Sequence, residues 1–230
     1  MALILHIDTA TSYAGVCLSN QESILAIEEN HDAKNHASFL QPAIQKIMQL
    51  TNHDLKDVDA VAVTGGPGSY TGIRVGMSSA KGICFALEKP LIVLNTLQVI
   101  AQAALDQLVV EQQPFEKEGL LYPMIDARRM EVFSAVYDHL LTEKTAAAAV
   151  LLNESFFNNL PENLPVLFCG DGAAKIPGSF LKPNMQISNA QHNVNHMIKL
   201  ALTAYNLHQF ANLAYVEPLY AKAFFNTQKQ

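Results

Sequence analysis

The sequence predicts an α/β protein in two lobes, and three observations carry that prediction. Short apolar runs such as Ala2 to Ile7 and Val58 to Val63 read as strands buried on both faces. Segments of helical period, notably 36–50 and 72–88, alternate with them. One arrangement then occurs twice: a strand ending in Asp8 leads into a meander, and a later strand ending in Asp126 does the same. The repetition is one of pattern and not of identity.

Taken in order, the run 2–7 contains His6 and ends in the cluster Asp8-Thr-Ala-Thr-Ser12. Two further strands are predicted at 15–18 and 23–27, with Asn20-Gln-Glu22 as the turn between them. The helix 36–50 carries Phe39, Leu40, Ala43, Ile44, Ile47 and Met48 on one stripe, with Pro42 placed near its first turn. A polar connector, 54–59, leads into the strand before a glycine-rich turn. Helix 72–88 follows and ends before Pro90. Strand 91–94 and an apolar helix 96–109 complete a first lobe, residues 1–108. The charged, proline-bearing segment 111–118 is the break, and 109–230 forms the second lobe. There, strands are predicted at 120–125, 131–137, 146–152 and 166–169, with a short helix within 153–160. Gly170-Asp-Gly172 is a turn, 190–210 an amphipathic helix, and Tyr215 to Tyr220 a tail segment.

Composition narrows the function classes. Half the residues are hydrophobic and 16% are charged, which describes a globular chain. The formal charge is −6 and no run of lysines or arginines occurs, so nucleic acid is not expected to bind this chain directly. Cys17, Cys84 and Cys169 are far apart in apolar surroundings, the usage of reduced thiols. With no basic-then-apolar leader and no bilayer-length apolar stretch, the expectation is a cytoplasmic protein without membrane association.

The stretch from Gly65 to Gly82 is the most unusual in the chain. Four glycines and a proline fall within residues 65–72, and small residues recur four apart at Gly72, Gly76, Ala80 and Cys84. Glycine inside a helix costs about 1 kcal/mol against alanine, so close approach to this backbone is expected. An anion at the helix N-terminus is one candidate, a second helix along the small stripe is another, and a purely structural turn is the third. Neither a Walker A loop nor the dinucleotide fingerprint fits, since Thr71 stands where the third glycine of the latter belongs. The stripe favours helix packing.

Five segments together resemble a known family: Ile4-Leu-His-Ile-Asp-Thr9; His36 before a helix with Pro42; Gly66-Pro-Gly-Ser-Tyr-Thr-Gly-Ile-Arg-Val-Gly76; Asp126-Ala-Arg-Arg-Met-Glu-Val-Phe133; and Gly170-Asp-Gly172. They resemble the TsaB (YeaZ) family, glycoprotease-like in name, from residue 3 to about 220. The resemblance implies an actin-like, hexokinase-like ATPase fold with a five-strand mixed sheet and helices in each lobe. It also implies a non-catalytic partner of the paralogue TsaD in bacterial tRNA threonylcarbamoyladenosine biosynthesis, joined by the ATPase TsaE and reaching tRNA only through the complex. The partner interface it implies lies on the first two helices, at His36, Phe39, Leu40, Ala43, Ile44, Ile47, Tyr70, Gly72, Ile73, Val75, Gly76, Ser79 and Ala80. With the stripe exposed, Gly76→Leu is expected to spare the fold and abolish the heterodimer. A homodimer through the same surface is expected when the partner is absent.

No cofactor is required in that reading, with ATP or ADP a candidate ligand at the heterodimer junction. A candidate nucleotide-like cleft would comprise Asp8, Thr9, Asp126, Gly170, Asp171 and Gly172, since ATPases of this fold use such aspartates to orient Mg²⁺ and water. Asp8 has the alternative reading of a turn cap. This gives the rival function, an autonomous ATPase. A glycoprotease is the third, and it lacks ligands: the catalytic sibling's metal-binding His-x-x-x-His is replaced by Thr96 and Ile100. His192 and His196 repeat that spacing but read as an exposed helix face. Ser69 reads as a structural turn residue, Arg128 and Arg129 as an inter-lobe latch, and His31 as a loop residue. No catalytic residue and no metal site is assigned.

Overall fold

A computed structural model of the chain describes residues 2–32, 35–113 and 115–222. Ten strands form two five-stranded sheets. In the first, β1 (Leu3–Asp8), β2 (Ala14–Asn20) and β3 (Ser23–Asn30) make the antiparallel meander. β4 (Ala60–Thr64) and β5 (Leu91–Leu94) then add in parallel on the other side of β1, giving the order β3-β2-β1-β4-β5. In the second sheet β6 (Leu120–Asp126), β7 (Glu131–Tyr137) and β8 (Glu143–Leu151) repeat the meander. β9 (Val166–Cys169) and β10 (Met185–Ile187) repeat the parallel pair. Read from its β8 edge, the second sheet has the order of the first. The duplication legible in the sequence is therefore a duplication of topology, that of the two-lobed actin-like fold.

The helices are α1 (His36–Thr51), α2 (Tyr70–Leu87), α3 (Thr96–Val110), α4 (Glu154–Asn158) and α5 (Met197–Asn206). α1 and α2 cover one face of the first sheet, with Leu40, Ile44, Ile47, Met77 and Ala80 packed on Leu5, Ile7, Val61 and Val63. Its other face receives α5 through Met197, Ile198, Ala201 and Ala204. α3 packs on the second sheet, where Leu97, Ile100, Ala101 and Ala104 meet Leu121, Ile125 and Leu167. The packing thus crosses the division expected at 108/109: α3 packs mainly in the second lobe's core, with Val99 in the first lobe's cluster, and α5 returns to the first. Connectivity along the chain cannot show this, because both helices are apolar enough to serve either sheet.

Two local expectations also change, and the tail segment acquires a place. Pro42 lies in the second turn of α1, where the carbonyl it leaves unbonded belongs to exposed Ser38. The helix expected over 190–210 is only α5, preceded by a single 3₁₀ turn, Val194–His196, in which His196 Nδ1 accepts from Asn193 N–H. The segment 188–193 is therefore an irregular crossing between β10 and the first lobe. Finally, the tail beyond α5 is tied down: Ala211 bridges Leu91, Leu219 N–H donates to the Gly65 carbonyl at 2.7 Å, and Lys81 Nζ donates to the Val216 carbonyl at 3.0 Å.

Candidate functional site

The glycine turn is built around contacts from its own chain. A Cβ at Gly72 would fall on the carbonyl oxygen of Thr9, and one at Gly76 on Thr9 Oγ1 with Ile7 and Val63 beyond. Thr9 Oγ1 donates to the Gly72 carbonyl at 2.7 Å, which draws the helix onto the end of β1. Gly66, at φ +107°, faces the Leu219 carbonyl of the tail. Ser69 caps α2, its Oγ accepting from Gly72 N–H at 3.2 Å. The small stripe Gly72, Gly76, Ala80, Cys84 is buried within its own lobe. This corrects the expectation of an exposed bare face: the small residues let α2 lie against β1 and β4.

The residues named for the partner interface divide accordingly. Gly72, Ile73, Gly76 and Ala80 are buried under α2, and His36, Leu40, Ala43, Ile44 and Ile47 under α1. His36 donates from Nε2 to the Thr11 carbonyl at 2.8 Å and so anchors α1 to the first turn. Phe39, Val75 and Ser79 are half-buried, and Tyr70 is exposed beneath the Arg74 guanidinium, 3.7 Å from its ring centre. Sequence reasoning missed the other side of α2. Gly82 has no atom within 4 Å of where a Cβ would stand, and Phe85, one turn on, is 81% exposed. Gln41 Nε2 donates to Ser79 Oγ at 3.0 Å and joins α1 to this face. The signal was present as a glycine off the buried stripe.

The second site lies between the lobes. A cleft of about 440 Å³ is lined by Thr11, Ser12, Tyr13, His31, Gly170, Asp171, His192 and the segment 187–191. Of the residues named for a nucleotide-like cleft, only Gly170 and Asp171 line it. Asp8 and Thr9 are fully buried behind it. Asp8 Oδ1 accepts from Thr64 Oγ1 at 2.8 Å and from Ala10 N–H at 3.1 Å. Its Oδ2 has no hydrogen-bond partner and faces His192 Nε2 at 3.5 Å. Burial pushes this carboxyl up, but His192, Thr64 and Ala10 together outweigh it and hold it below its ordinary value. His192 also lies 3.4 Å from Thr11 Oγ1 and edge-on to the Tyr13 ring. Tyr13 Oη donates to Glu29 at 2.8 Å and accepts from Val194 N–H at 3.0 Å. The pair His192 and His196 is thus no exposed helix face: His192 covers Asp8, and His196 Nδ1 accepts from Asn193 N–H at 3.0 Å.

Asp126, at the equivalent strand end, is paired with Lys175 Nζ at 2.5 Å, which is the main reason its carboxyl lies below its ordinary value. Gly172 is buried against β6, its Cβ position close to Val132 and the Met124 and Ile125 backbone. Arg128 and Arg129 occupy the β6–β7 turn with left-handed backbones and make no ion pair among the described residues, so no latch forms there. These residues do not fit a magnesium nucleotide. Asp8 is covered, Asp126 is engaged by Lys175, and the amides of Ala10 and Tyr13 are bonded to Asp8 and to Thr11 Oγ1. No lysine or arginine lines the cleft among the described residues. At the sibling's metal position Thr96 and Ile100 are buried in the α3 core, and neither side chain is a metal donor of that type. No helix among the described residues is long and apolar enough to cross a membrane.

A family model described as TsaD, tRNA N6-adenosine threonylcarbamoyltransferase, matches residues 23–218. The tRNA threonylcarbamoyladenosine biosynthesis protein TsaB of Bacillus subtilis is 29% identical over 170 residues, 73% of this chain and 70% of that protein. The TsaB protein of Haemophilus influenzae is 28% identical over 233 residues, covering 95% of this chain and 93% of its own length. Among solved structures, YeaZ from Pseudomonas aeruginosa shares the fold with a TM-score of 0.78 at 22% identity, over 96% of this chain and 100% of that one. With the family model spanning most of the chain and TsaB relatives aligned over 73% and 95% of it, the chain belongs to the TsaB/YeaZ branch of the TsaD-related, glycoprotease-like family.

Proposed function

We propose that this chain is a non-catalytic partner subunit that binds a TsaD paralogue and so supports threonylcarbamoylation of adenosine 37 in tRNA. The observation that carries the reading is the outward face of α2. There Gly82 costs the helix about 1 kcal/mol with no contact inside the lobe to offset it, and Phe85 stands 81% exposed beside it. A bare backbone next to a large exposed ring is a surface on which a partner helix can rest closely. Phe39, Val75 and Ser79 border it, and the Gln41–Ser79 hydrogen bond holds α1 and α2 together as one docking platform. TsaE would join the resulting pair, tRNA would be reached through the complex, and ATP or ADP would bind at the junction with the paralogue rather than in this chain's cleft. Without the paralogue, the same face would close a homodimer.

Co-purification with a tagged TsaD paralogue tests this. Phe85→Asp is expected to leave thermal unfolding within a degree or two of wild type, because the side chain packs against little in the monomer. It should nevertheless lose the complex. A variant that is pulled down as efficiently as wild type contradicts the reading.

A further inference from the structure

We propose that the His192 imidazole is a built-in ligand of the inter-lobe cleft, standing over Asp8 where an exchangeable ligand would otherwise sit, and that it latches the crossing 188–193 to the end of β1. Four observations meet there. Asp8 is fully buried with Oδ2 unbonded, a situation that destabilises the fold unless a polar partner stands near. The group standing near is His192, at 3.5 Å, delivered by an irregular segment that leaves the second sheet after β10. The imidazole is held on two sides, by Thr11 Oγ1 at 3.4 Å and by the edge-on Tyr13 ring. Tyr13 is itself bonded to Glu29 on β3 and to Val194 N–H just beyond the latch, so the ring that steadies His192 also clamps the crossing.

The consequence is a cleft closed from inside. A ligand cation could reach Asp8 only by displacing His192, and displacing it frees the stretch that carries α5 onto the first sheet. The two lobes are thereby held by an internal ligand instead of an exchangeable one. This does not depend on the partner reading above.

Chemical rescue in the full-length chain tests it. His192→Gly should lower the Tm by about 4 °C or more, given the cost of an uncompensated buried carboxylate. It should also raise hydrogen exchange at 8–13 and 188–194. Added imidazole should restore part of the lost Tm in His192→Gly, but have no such effect in wild type or in the double variant with Asp8→Asn. His208→Ala, which removes an exposed imidazole outside the cleft, should leave exchange at 8–13 and 188–194 unchanged and show no imidazole rescue. An unaltered Tm and exchange in His192→Gly overturns the proposal, as does rescue that is equal with and without Asp8. If His192→Gly does not accumulate folded, His192→Gln is read instead, and a Tm equal to wild type overturns the latch. A rise in wild-type Tm on adding magnesium ATP at millimolar concentration would also overturn it, since ligand binding to the native state must raise the Tm.

Discussion

The two halves share one strand order, yet their central strands end in different surroundings. β1 ends in Asp8, wholly buried beneath Thr64, Ala10 and His192. β6 ends in Asp126, whose side chain is 46% exposed and paired with Lys175. The difference follows from what comes after the first parallel strand. In the first half β4 runs into α2, eighteen residues long, whose glycines let it press on the end of β1. In the second half β9 runs into a five-residue 3₁₀ turn, Asp171–Lys175, too short to cover the strand end but placed so that its last residue reaches Asp126. Topology repeats the position of a carboxylate; the element that follows decides whether it is sealed or solvated.

That comparison can be broken most forcefully at the glycines. Gly76→Leu should destabilise the chain by about 3 kcal/mol or more, seen as a large fall in urea midpoint, because its Cβ would meet Thr9, Ile7 and Val63. This replaces the expectation, drawn from the stripe alone, that the same change would spare the fold; a midpoint like wild type would show that α2 does not lie where the structure has it.

Next in size is the carboxylate pair. Asp8→Ala should cost about 3 kcal/mol, through the groups left unpaired in the core, whereas Asp126→Ala should cost about 1 kcal/mol or less because water already screens its ion pair. Equal losses by denaturant titration would remove the contrast between the halves. The pH dependence sharpens it. Both carboxyls lie below their ordinary value in the folded protein, so their stabilisation is present above the unfolded pKa near 3.8 and is lost as pH falls through the folded value. Replacing either aspartate with Asn should flatten the acid limb of stability against pH, measured by denaturant titration at several pH values. The smallest effect expected has the opposite sign. Gly82→Ala should stabilise the monomer by about 0.5–1 kcal/mol, since its helical position is open to a methyl group.

Much of this architecture was legible in the residues. Apolar runs marked the central strands, and Asp8 and Asp126 marked their ends, because a parallel strand buried on both faces leaves a strong signature. The stripe of small residues on α2 was equally plain, but its direction was not. Four-residue spacing says that something approaches closely and does not distinguish the helix's own sheet from a neighbouring protein. Gly82, off that stripe, was the distinguishing residue. The Asp8–His192 contact was out of reach for another reason. It joins residues far apart in sequence through an irregular crossing, and no periodicity predicts which side chain such a segment will turn inward. The exchange of α3 and α5 between lobes has the same origin, since an apolar helix fits either sheet equally well by pattern.

The proposed contact places the outer face of α2 against the TsaD paralogue. Hydroxyl-radical footprinting of the wild-type chain, alone and mixed with that paralogue, addresses it most directly. Phe85 should lose most of its oxidation on mixing, while Leu140, 73% exposed in the β7–β8 turn, keeps its own. Unchanged oxidation of Phe85 in a complex that demonstrably forms would contradict the claim.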